Sequence, residues 1–121
     1  MAAAQYSLGD FKFKAEEFLP VKLFNEITST RVLKKEVIEQ QAQARKRRKS
    51  LTKDGKLTIV ACDHPARLVL GVGDDPLRMG DRLGYLARVA RVVTSPEFDG
   101  VMGTPDMLED LLILDYLYTQ G

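Results

Sequence analysis

Apolar positions change their spacing several times along the chain, and each spacing predicts a different element. Over residues 1–30 the apolar set is Phe11, Phe13, Phe18, Leu19, Val21, Leu23, Phe24 and Ile27, interrupted by Pro20. This crowding around a helix breaker predicts short helices. Between residues 30 and 50, Val32, Leu33, Val37, Ile38 and Ala42 form a narrow stripe among Lys, Glu and Gln, the pattern of an amphipathic helix. The run Arg45-Lys46-Arg47-Arg48-Lys49 then falls in its last turns, where cations suit the negative end of the helix dipole. Asp54-Gly55 signals a turn.

The pattern changes at residues 57–62, which are apolar except for Thr58 and so predict a strand covered on both faces. A helix is expected next, with Asp74 or Asp75 as N-cap, Pro76 near its first position, and Met79, Leu83, Leu86, Ala90 and Val93 at helical spacing. Ser95-Pro96 ends it. A short strand at residues 99–102 leads into Gly103-Thr104-Pro105-Asp106, where Thr104 is placed to cap a helix beginning at Pro105. That helix runs to about Tyr118 and is apolar on nearly every side, so it expects burial all round. Strand, helix, strand and helix in this order predict an α/β fold with parallel strands. Two such strands do not enclose a core. The expectation is the opening portion of a larger α/β enzyme, with its apolar surface left open to association in the isolated chain.

Composition narrows the function little. The 121 residues are 45% apolar and 29% charged, with a formal net charge of +1, so nothing global draws the chain to nucleic acid or acidic membranes. One cysteine excludes an internal disulfide. The first ten residues lack the basic and apolar regions of a secretory signal, and no apolar run reaches the roughly 20 residues of a membrane span. A cytoplasmic setting is expected, without membrane attachment.

Candidate chemistry gathers where the first strand ends, at Asp63-His64-Pro65-Ala66-Arg67, because α/β enzymes bind ligands beyond the carboxyl ends of their strands. Asp63 and His64 are the candidate catalytic pair; for Asp63 the competing reading is a turn cap accepting backbone N–H bonds. Gly103 and Thr104 are candidate substrate-binding residues, since unpaired N–H groups at a helix start can meet a substrate oxygen. For Thr104 a plain helix cap is the alternative. Cys62 reads as a small core hydrophobe. With His64 as the only histidine, a multi-histidine metal site is excluded within one chain, and no cofactor is expected. Gly71-Val72-Gly73-Asp74-Asp75-Pro76 fails as a dinucleotide loop, because proline replaces the third glycine. Asp106, Glu109 and Asp110 are explained by the dipole at a helix start. The basic run at residues 45–49 supports a different class, a non-enzymatic phosphate- or nucleic-acid-binding module. No aromatic interleaves its cations, however, which makes nucleic acid an unfavoured partner.

Taken together, Ile59-Val60-Ala61-Cys62-Asp63-His64-Pro65-Ala66-Arg67 and Asp99-Gly100-Val101-Met102-Gly103-Thr104-Pro105-Asp106-Met107-Leu108-Glu109-Asp110 resemble the class I aldolases related to deoxyribose-phosphate and tagatose-bisphosphate aldolases. The resemblance implies a partial (β/α)8 TIM barrel, namely its first two βα units at residues 56–121, preceded by a helical N-terminal extension at residues 1–55. In that arrangement Leu57, Ile59 and Ala61 face the barrel interior, and Thr58, Val60 and Cys62 face helices. It further implies a lyase acting on a carbonyl or sugar-phosphate substrate through a lysine Schiff base, with Asp63 as the acid, in a homo-oligomer. The phenylalanines of the extension are available to cover a neighbour. One departure matters: no lysine follows Lys56, so the chain alone is expected to be inactive as an aldolase.

Overall fold

The computed structural model describes residues 12–120; the opening ten residues and Phe11 lie outside them. The chain forms five helices and two strands among the described residues, in the order α1 (Ala15–Phe18), α2 (Val21–Leu33), α3 (Glu36–Ala44), β1 (Ile59–Cys62), α4 (Arg82–Val93), β2 (Gly100–Gly103) and α5 (Pro105–Gln120). Two 3-10 turns, His64–Arg67 and Arg78–Gly80, sit between β1 and α4. Pro20 separates α1 from α2: its extended backbone (φ −58°, ψ 147°) opens α2, and its carbonyl accepts the Phe24 N–H at 3.0 Å.

The sheet is a single parallel pair, with Ile59 beside Gly100 and Cys62 beside Gly103. Asp99 fixes its entrance twice over. The Asp99 amide donates to the Thr58 carbonyl, and the Asp99 carboxylate accepts the Thr58 amide, both at 2.8 Å. Alternation along β1 leaves Cys62 buried and Val60 half-buried, whereas Ile59 and Ala61 are exposed. Val60 and Cys62 therefore lie on the covered side.

The expected partial barrel is corrected here. The fold is small and helix-rich around a two-stranded parallel sheet, and no barrel of βα units is present among the described residues. The physical reason lies in the helices, which bury their apolar faces against one another. The core joins Leu19 and Ile27 to Cys62, Leu86, Ala87, Val89, Ala90, Met107, Ile113 and Leu114. The expectation that β1 is covered on both faces is corrected with it, since Ile59 and Met102 remain about half exposed.

Three local expectations change as well. The helix drawn across residues 30–50 is two helices, because Lys34 leaves helical geometry (φ −136°, ψ 52°). α3 stops at Ala44 and Arg45 is extended, so the basic run follows the helix instead of ending it. α4 begins later than Asp74 or Asp75 suggest: its N-cap is Asp81, whose carboxylate accepts the Gly84 amide at 3.3 Å, while Asp75 caps a tight turn by accepting the Leu77 amide. A Cβ on Gly84 would come within 2.6 Å of that capping carboxylate, which accounts for glycine inside the first turn. Separately, Phe13, Phe18 and Phe24 pack against this chain's own core, and Phe11 lies outside the described residues. The Phe13 and Phe18 rings meet at a tilt of 53° with centroids 5.9 Å apart, and the Arg88 and Arg91 guanidinium groups lie 5.3 and 5.1 Å from the Phe13 ring centre.

α5 has the cover its composition demands. α2 and α3 pack along it, and of its large apolar side chains only Tyr118 is exposed. Among the described residues no helix is long and apolar enough to cross a membrane.

Candidate functional site

Three pieces of backbone meet where the strands end. These are the 3-10 turn after β1, the first turn of α4, and the Gly103-Thr104 step into α5. Between them is a cavity of about 240 Å³ lined by Cys62, Pro65, Ala66, Arg82, Tyr85, Thr104, Asp106 and Met107.

Asp63 opens the turn at φ −101° and ψ 10°. Its backbone carbonyl accepts the Ala66 amide at 3.2 Å, but its side chain makes no capping bond. The turn-cap reading is therefore not realised. One carboxylate oxygen lies 3.5 Å from the Arg67 Nε; the other is out of solvent and has no hydrogen-bond partner. An unpaired buried acceptor gives up its hydration and receives nothing in exchange, which costs of order 1–3 kcal/mol. Among the described residues, Arg67 engages the other oxygen and none bonds this one.

The remaining sequence candidates separate. His64 starts the 3-10 turn beside Asp63, and its carbonyl accepts the Val69 amide at 3.1 Å; it is not part of the cavity wall. Gly103 makes room for Cys62, since a Cβ there would sit 3.0 Å from the Cys62 Sγ. Cys62 is buried and donates its thiol to the Met102 carbonyl at 3.3 Å. Burial, and then the neighbouring Asp63 charge, push that thiol up, so it stays protonated and a poor nucleophile. Thr104 does reach the cavity; its carbonyl starts α5 by accepting the Leu108 amide, and its hydroxyl bonds the Asp106 carboxylate. That bond, opposed by some burial and helped by Arg82, holds Asp106 below the usual carboxylate range.

Two groups on the site were not singled out from the sequence. Tyr85 lines the cavity with its hydroxyl buried and unpartnered. Burial raises its pKa, and the Cys62 and Asp63 charges raise it further against a smaller opposing effect of Arg82. Arg82 belongs to a network on the same wall. It pairs with Asp106 at 2.9 Å and Asp110 at 2.6 Å, while Arg31 from α2 pairs with Glu109 and, at 2.6 Å, with Asp110. Asp110 is 7% exposed and shared by both arginines. Burial alone would lower the Arg31 pKa, but the Asp110 and Glu109 carboxylates outweigh it and raise it. The sequence signal was the i, i+3, i+4 spacing of Asp106, Glu109 and Asp110 on one helix face, three acids where the dipole alone asks for fewer.

A wider hollow of about 780 Å³ lies at the opposite, entrance end of the strands, walled by Arg48, Lys49, Lys53 and Lys56 with Asp54, Glu97 and Asp99. Its charges are mixed and its best-placed groups are in use. Arg48 donates to the Asp99 carbonyl at 2.6 Å, and Asp54 accepts the Lys56 amide at 3.0 Å. We therefore take the smaller cavity, whose wall carries the unpaired Tyr85 hydroxyl and which Asp63 adjoins without lining it, as the candidate site. Among the described residues no cluster of three His, Cys, Asp or Glu side chains is placed to hold a metal ion.

Comparison with known proteins adds a family. Residues 55–120 match the sequence profile described as Cgl0159-like. The chain is also similar to the crystal structure of Cgl0159 from Corynebacterium glutamicum, at 40% identity and a TM-score of 0.70 over 78% of this chain and 32% of that one. It thus spans about a third of the length of that protein. No curated protein matches.

Proposed function

Because the chain belongs to the Cgl0159-like family, with the matched residues containing the whole cavity wall, we propose that this cavity is the acid-bearing part of a site for small hydroxy-carbonyl compounds, of the class I aldolase type. The observation that carries the reading is the Asp63 carboxylate oxygen, buried at a strand's carboxyl end next to the wall residue Cys62, though not itself on the wall, and left without a partner. A substrate hydroxyl donating to it would supply what the fold withholds. In aldol chemistry such a carboxylate orients the substrate and takes or returns a proton while the carbon–carbon bond breaks or forms.

The amine that would turn a carbonyl into an iminium is not at this site. Every lysine lies at or before Lys56, and Lys56 itself is on the wall of the hollow at the strands' other end. The reading therefore assigns this chain binding and proton handling, without imine formation of its own. Within the basic run that supports the rival reading, Arg48 is engaged with Asp99.

The test is a titration with dihydroxyacetone, which has a carbonyl, against glycerol, which has none, followed by amide NMR. Saturable binding of dihydroxyacetone, stronger than that of glycerol and lost in Asp63→Asn, is expected. Equal binding of glycerol, or binding indifferent to Asp63→Asn, overturns the carbonyl reading.

A further inference from the structure

Tyr85 holds the second unpaired buried group of the site, and phenylalanine would fill the same space without burying a lone hydroxyl. The fold thus gains nothing from the oxygen unless a ligand uses it. The other polar side chains on the wall are engaged with one another or with backbone: Arg82 with Asp106 and Asp110, Thr104 with Asp106, Cys62 with the Met102 carbonyl. What remains on the wall is one phenolic donor, Tyr85; the unpaired Asp63 carboxylate oxygen lies behind the wall, one residue beyond Cys62.

We infer that Tyr85 is a positioning residue that donates its hydroxyl to an oxygen of a small neutral polyhydroxy ligand in this cavity. The ligand is neutral at this end because Arg82, the guanidinium among the described lining residues, is already paired with two carboxylates, so the wall itself presents no unpaired cation to a phosphate. This deepens the hydroxy-carbonyl reading by naming the group recognised, the ligand's hydroxyls, and it rests on that reading only for the carbonyl.

The experiment compares wild type with Tyr85→Phe, using dihydroxyacetone, glycerol and inorganic phosphate as probes, with Tyr85 ring-carbon NMR and thermal melting as readouts. We expect the Tyr85 resonance to move saturably with dihydroxyacetone, the affinity to fall at least about tenfold in Tyr85→Phe, as for loss of a hydrogen bond to a buried site, and the variant to melt no lower than wild type. Phosphate should neither bind there nor compete. Unchanged affinity in Tyr85→Phe, a still Tyr85 resonance, or competition by phosphate would each overturn the inference. So would a clearly lower melting temperature, which would show the hydroxyl bonded within the protein. The two readings fail separately: glycerol bound as well as dihydroxyacetone, both through Tyr85, keeps this inference and removes the carbonyl. Dihydroxyacetone lost with Asp63→Asn but indifferent to Tyr85→Phe does the reverse.

Discussion

At the residue scale, the site is defined by what its groups lack. Asp63 and Tyr85 each keep a buried oxygen unpaired, and the Tyr85 and Cys62 protons are held more tightly than usual, in both cases chiefly by burial. The sign of the consequence follows from linkage. In the unfolded chain Cys62 and Tyr85 lose their protons near 9.0 and 10.0, whereas the folded chain retains them at higher pH. The unfolded state then binds fewer protons, so stability is complete below pH 9 and falls as pH rises beyond it. Tyr85→Phe removes one of the two contributions. Its urea midpoint should match or exceed that of wild type at neutral pH, and the gap should widen by about pH 10.5; a gap that is constant with pH would contradict the assignment. Asp63 could be read from the sequence because an acid directly after an apolar strand is a local pattern. Tyr85 could not, since a tyrosine at helical spacing looks like any core aromatic until its hydroxyl is seen without a partner.

At the element scale, α5 is joined to α2 and α4 by arginines that converge on one buried carboxylate, Asp110. Breaking a fully buried ion pair costs roughly 3–5 kcal/mol. Arg31 and Arg82 are 33% and 35% exposed, so solvent screening reduces that figure here to roughly 2 kcal/mol. Asp110→Asn should lower the denaturation midpoint accordingly, and a loss below about 0.5 kcal/mol would show that the network contributes little. Local periodicity does reveal parts of this architecture: the Pro20 break and the Thr104-Pro105 start of α5. It misses contacts between distant residues, and Arg31 meets Asp110 across 79 positions. It also misses competition among similar signals. Asp74, Asp75 and Asp81 are all plausible caps, and the Val72–Asp75 pairing uses up the earlier turn and passes the cap to Asp81.

At the scale of the whole molecule, the apolar cover is uneven. The early helices enclose α5, whereas Ile59 and Met102 on the open sheet face, and Leu68, Val72 and Leu77 in the following loops, are more than half exposed. An uncovered face beside unpaired strand edges favours association. We expect sedimentation to show concentration-dependent oligomers, reduced by Ile59→Thr with Met102→Thr; a monomer at every concentration would contradict this. The barrel expected from the strand and loop motifs was not legible in truth because those motifs describe strand ends, while the architecture here is decided by helices packing on helices. The central claim is that ligand chemistry belongs to the carboxyl ends of the two strands, and the dihydroxyacetone titration tests it most directly when its shifts are mapped over every amide. The account predicts saturable shifts at residues 62–66, 82–85 and 103–107, with the entrance hollow around Arg48, Lys56 and Asp99 unmoved. Shifts confined to that hollow, or none at all, would contradict it.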